Sequence, residues 1–145
     1  MSKRDNIRIP PFCLAQDLKR LNKMYFHCEE IINFYPNYLI FVEEIYDPVE
    51  LRIHAHALNM QIFCLTENST RISNEFQQKY PLLPYATFRK IRNTIAHEYE
   101  NVNKEETDAI IKYISKIQAI VFDLLEFHHF EDPRAEEAAK KEAGV

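Results

Sequence analysis

The stretch FRKIRNTIAHEYENVN, residues 88–103, sets a cluster of cations, an amide, an imidazole and a phenol close together in a chain whose net charge is −4. Arg89, Lys90 and Arg92 crowd the segment, Asn93, His97 and Tyr99 follow, and Glu98 and Glu100 lie beside them. A guanidinium offers a planar fork to phosphate oxygens. An imidazole moves protons near neutral pH. Together they suit acid–base chemistry on a phosphate ester, with Arg89 and Lys90 as further phosphate contacts. The same residues also fit a plain solvated helix end: cations are common on exposed faces, and a His is favoured at a helix C-terminus by the dipole. Asn93 would then simply satisfy a neighbouring backbone group.

Spacing sharpens the question. Arg92 and His97 are five residues apart, so on an ideal helix they point roughly 140° apart. Asn93 and His97 share one facet, and Arg92, Ala96 and Tyr99 share another. For Arg92 and His97 to meet on one phosphate, the helix end must distort or two chains must contribute. The second option predicts an active homodimer.

The elements that hold these residues read as helices. Leu14, Leu18, Leu21, Tyr25, Cys28, Ile32 and Tyr35 step by alternating fours and threes, predicting a long helix that Pro36 breaks. NYLIFVEEIYDP predicts a short helix that stops before Pro48. Leu51, Ala55, Leu58, Ile62, Leu65, Ser69, Ile72 and Phe76 form a second seam, predicting one helix of about 30 residues. Pro81 and Pro84 punctuate the next link. A shorter helix begins near Tyr85 with Phe88, Ile91 and Ile95 inward, and ENVNKEET interrupts it. Asn103 with Glu106 looks like a cap for a last helix, which carries Ile110, Ile114, Ile117, Val121 and Leu124 on one face. The expected fold is all-α, an antiparallel bundle of four to five helices. Residues 1–130 form a single domain, and 131–145 a charged, solvated tail. The seams are long for one small bundle, which again points to a symmetric dimer.

Bulk composition narrows the function. The only glycine is Gly144. Phosphate-cradling loops, dinucleotide fingerprints and the G-x-S-x-G elbow all need glycine, so each is excluded. An acidic chain is no general nucleic-acid binder, so any polyanion contact must come from a local patch. The three cysteines, Cys13, Cys28 and Cys64, show no C-x-x-C spacing and read as free thiols in a reducing, cytoplasmic setting. No apolar run is long enough for a membrane span. His54 and His56 diverge by roughly 200° on a helix and chelate poorly. His128 and His129 read as solvated or packed, and His27 lacks further ligands nearby. Tyr25, Phe26, Phe34, Tyr35, Tyr38 and Phe41 read as core and dimer seam.

The octapeptide RNTIAHEY resembles the R-x4-H-x-Y signature of HEPN-domain proteins, specifically the HepT-like toxins. The preceding YPLLPYATFRKIRN is similar to the family's approach to that helix. CLTENSTRIS is similar to an earlier family helix, with Glu67 at the place of its acidic residue and Thr66 where a small Gly is often found. The similarity runs over about residues 14 to 125, and the octapeptide is its specific part.

The resemblance implies a HEPN-like dimer acting as a metal-independent RNA endonuclease, with no cofactor. It makes Arg92 and His97 the catalytic pair and Asn93 the positioning residue. It makes Tyr99 the target of AMP transfer by a nucleotidyltransferase (MNT-type) antitoxin. The partners are then RNA, that antitoxin and a second copy of the chain. The competing reading is a non-catalytic helical module of the same fold that docks the nucleotidyltransferase.

Overall fold

The computed structural model describes residues 3–44, 47–97 and 104–131. After a 3₁₀ turn at Lys3–Asn6 come five α-helices: α1 (Pro11–Glu43), α2 (Pro48–Thr70), α3 (Asn74–Lys79), α4 (Tyr85–His97) and α5 (Lys104–Phe127). Among the described residues there is no strand. α1 lies along both α2 and α5, and α2 also carries α4. One continuous core joins them, with Leu21, Met24, Ile62, Leu65, Phe76, Phe88, Ile91 and Val121 at its centre. Each such side chain contributes about 1.5–3 kcal/mol by leaving water.

The helix starts are chemically marked. Pro11 sits in the first turn of α1, and Leu14 N–H donates to the Pro10 carbonyl at 2.9 Å. Asp47 caps α2 by accepting from the amides of Val49 (3.0 Å) and Glu50 (3.2 Å), with Pro48 in the first turn. Pro48 therefore lies where the sequence demanded a boundary, as the first residue of the next helix.

Pro36 does not break α1: the helix runs through it to Glu43. A mid-helix proline removes one hydrogen bond and crowds the preceding turn, at a cost of about 3 kcal/mol. On either side of it Tyr35 and Tyr38 pack onto the core, their rings stacked at 6.2 Å, and this burial opposes the break. The buried seam of α1 is also rotated from the expected one. Met24 and Ile31 are fully buried, whereas Leu14, Tyr25, Ile32 and Tyr35 are only partly so. α1 faces α2 and α5 at once, and this wider apolar arc moves the centre of burial.

The second expected helix divides. α2 ends at Thr70, and α3 starts after Ser73, whose hydroxyl accepts from the Phe76 amide at 3.3 Å. Ile72 and Phe76 are nevertheless buried as expected, so the seam crosses the junction although the helix does not. Asp17 holds the corner: its carboxylate accepts from Ser73 N–H (2.8 Å) and Ser73 Oγ–H (2.6 Å).

α4 and α5 match expectation residue by residue. Phe88, Ile91 and Ile95 are buried on α4, and Ile110, Ile114, Ile117, Val121 and Leu124 on α5. The Asn103–Glu106 cap and the 131–145 tail lie, apart from residue 131, outside the residues whose side chains are described. No described helix is long and apolar enough to cross a membrane.

Candidate active site

Arg92 projects from the flank of α4 that meets α2. Its Nε donates to Glu67 Oε2 at 2.5 Å, and its Nη1 donates to Asn93 Oδ1 at 3.1 Å. Arg92 is 31% exposed and Glu67 21%, so this contact is partly shielded from water. Glu67's other oxygen, Oε1, accepts at 3.0 Å from Nε of Arg71, the residue that follows the last of α2. One carboxylate thus bridges two guanidiniums. Its pKa is held below the ordinary glutamate value, first by the Arg92 hydrogen bond; burial opposes this, and Arg71 adds to it.

The last turns of α2 orient these groups. Thr66 is fully buried, and its hydroxyl donates to the Ile62 and Phe63 carbonyls, both at 3.0 Å. The hydroxyl is satisfied within its own helix, so threonine is tolerated at that packed position. Asn68, also buried, donates to the Cys64 carbonyl at 2.8 Å and accepts from Arg20 Nη1 of α1 at 3.4 Å.

α4 is helical through His97, so Arg92 and His97 keep their divergence of roughly 140°. His97 is exposed, and Asn93 lies between the two around the helix. The structure thus joins Arg92, Asn93 and Glu67, and leaves His97 on a different flank of the same protomer. Arg89 borders a shallow surface hollow with Asn74, Gln77 and Tyr85, on the Arg92 side of α4. Lys90 points roughly 160° away from Arg92, and its carbonyl accepts from Thr94 Oγ1 at 3.0 Å. Tyr99 lies outside the described residues.

The remaining histidines and cysteines have structural surroundings. His54 Nε2 is 3.7 Å from Glu50, and His27 Nδ1 shares a 2.8 Å hydrogen bond with Gln61. His128 packs against the rings of Phe76, Tyr80 and Phe127. All three cysteines are free thiols; Cys28 is buried, and burial pushes its thiol up to about 12, while Cys13 and Cys64 are half-buried. Among the described residues, no three of His, Cys, Asp and Glu converge to hold a metal. A groove of about 630 Å³ runs between α4 and α5 and is lined mainly by apolar residues such as Leu82, Phe88 and Ile117. It includes none of the candidate site residues.

Arg71, Asn68 and Arg20 were not singled out from sequence. The Glu67–Arg71 spacing of four is a legible helical pair. Arg20 gives no such signal, because only packing of α1 on α2 brings it near.

Among the described residues the chain is all helical, and α4 carries an arginine anchored by a carboxylate and, on another flank, an exposed histidine. The model of the family described as "Ribonuclease HepT-like" matches residues 37–139, well over half of the chain, and the chain belongs to that family. No curated protein and no solved structure matches it.

Proposed function

We propose that this chain is a metal-independent RNA endonuclease, the cytoplasmic toxin of a HEPN/MNT toxin–antitoxin system, acting as a homodimer. The observation that carries the reading is the Arg92–His97–Tyr99 signature in a chain of the HepT-like ribonuclease family, with Arg92 fixed by Glu67 and Asn93.

The chemistry follows from the groups. A ribose 2′-oxygen attacks the adjacent phosphorus, so an O2′–P bond forms and the P–O5′ bond breaks. The products are a 2′,3′-cyclic phosphate and a free 5′-hydroxyl. His97 takes the 2′-hydroxyl proton or supplies one to the departing O5′. Arg92 balances the charge that builds on the phosphoryl oxygens. With Nε engaged by Glu67 and one N–H of Nη1 by Asn93, Nη2 and the second N–H of Nη1 are the donors offered to the phosphate. DNA lacks the 2′-hydroxyl and is spared. Because the two side chains diverge on α4, Arg92 of one protomer works with a histidine contributed by a second copy.

Silencing fits the same site. AMP placed on Tyr99 by a nucleotidyltransferase antitoxin adds bulk and negative charge beside Arg92 and repels RNA. The Tyr99→Phe variant should cut RNA like the parent yet escape silencing by antitoxin and nucleotide. Silencing of that variant would exclude Tyr99 as the modified residue.

The deciding experiment incubates unmodified parent and His97→Ala protein with RNA in chelator. Cleavage by the parent alone supports the enzyme. No cleavage by either, with Tyr99 confirmed free of AMP, supports instead the docking module, which the net charge of −4 favours.

A further inference from the structure

The chain is acidic overall, yet three guanidiniums converge on the last turn of α2. Arg92 of α4 and Arg71, the residue just past the end of α2, share the Glu67 carboxylate, and Arg20 of α1 reaches the neighbouring Asn68. On a helix, Arg71 stands roughly 40° around from Glu67 and Asn68 roughly 100°, so Arg71 lies between the other two. The order across the surface is therefore Arg92, Arg71, Arg20, an arc over three helices. These side chains hold three positive charges against the one carboxylate of Glu67. Asp17, one turn before Arg20, brings a second carboxylate to the α1 side, buried and accepting through both oxygens from Ser73; the three guanidiniums still outnumber the two carboxylates. Arg71 is 57% exposed, so its remaining donors face water.

We infer that Arg71 and Arg20 form a track for the RNA backbone leading away from the scissile phosphate, which Arg92 holds. The inference rests on the ribonuclease reading and extends it to the substrate's flanking nucleotides. Glu67 has two roles in this arrangement. It orients Arg92, and by sharing its charge with Arg71 it leaves the Arg92 fork only partly neutralised. A single-stranded backbone is the ligand the arc fits, because charge rather than shape is what it presents. Arg71 and Arg20 are binding residues; neither touches the reacting atoms.

The test uses the full chain carrying His97→Ala, in chelator, with a fluorescein-labelled single-stranded oligoribonucleotide and anisotropy across a salt series. Arg71→Gln and Arg20→Gln should each raise Kd several-fold at low salt. Each should also flatten the slope of log Kd against log salt by about 0.7, the value for one phosphate contact on a single strand. Arg71→Lys and Arg20→Lys should restore the slope, which a purely structural fork would not. Lys112→Gln, on the exposed face of α5, should match the parent. In the His97 background the loss of kcat/KM should lie mainly in KM. If both Gln variants fold with the parent's Tm and keep its Kd and slope, the track is overturned, whether or not the parent cuts RNA. If the slopes flatten but the parent cuts no RNA, the track stands and the ribonuclease reading fails.

Discussion

Glu67 sets the charge of the site, and its environment ties part of its contribution to pH. Its folded pKa is lowered, chiefly by the Arg92 hydrogen bond, from the ordinary value of 4.5. Such a group stabilises the fold above its unfolded pKa, and the contribution disappears as pH falls through the lower folded value. The parent should therefore lose part of its stability below about pH 4.5, and Glu67→Gln should show a shallower acid limb in thermal unfolding. At neutral pH the same variant removes the group that aims Arg92. RNA cleavage should drop by about ten- to a hundredfold in kcat, since small misplacements of a reacting group cost that much. KM should not rise, because the arc keeps its three cations. An unchanged kcat would show that Asn93 alone suffices to hold the guanidinium.

At the level of elements, the corner between α2 and α3 and the passage of α1 through Pro36 depart most from the sequence pattern, and both are open to measurement. Ser73 caps α3 and is itself held by buried Asp17. Ser73→Ala should cost about 1–3 kcal/mol in urea unfolding, from the lost cap and the loosened carboxylate. A value near zero would mean that the corner is held by Ile72 and Phe76 alone. α1 stays helical through Pro36 against that residue's own preference, so Pro36→Ala should stabilise the chain by about 1–3 kcal/mol, read by the same method. Destabilisation would show that the ring's packing outweighs the hydrogen bond it removes. The helical period was enough to read α4 and α5, because each buries one narrow face. The same period misled in α2, where the apolar steps continue across a turn: Ile72 and Phe76 point inward from α2's end and from α3, and spacing alone cannot distinguish that from one helix.

For the whole molecule, the divergence of Arg92 and His97 on α4 makes shared chemistry between subunits a measurable expectation. Arg92→Ala and His97→Ala proteins, each inactive alone, should regain part of the parent's RNA cleavage when unfolded together and refolded. Mixtures as inactive as either parent variant would mean that one chain supplies both groups, and that α4 rearranges to do so. What the sequence by itself determined is the helical class, the burying faces of α4 and α5, and the signature at Arg92, His97 and Tyr99. Each of these is a local pattern, carried by period or by neighbours a few residues apart. Only the tertiary structure decided that Glu67 lies on Arg92, that Asp17 lies on Ser73, and that Arg20 and Arg71 join the Arg92 flank. Those contacts join residues 25 to 56 positions apart, apart from the local Arg71 pair. They exist because helices pack side by side to remove apolar surface from water, and the polar groups that meet at their edges follow from that packing rather than from the order of the chain.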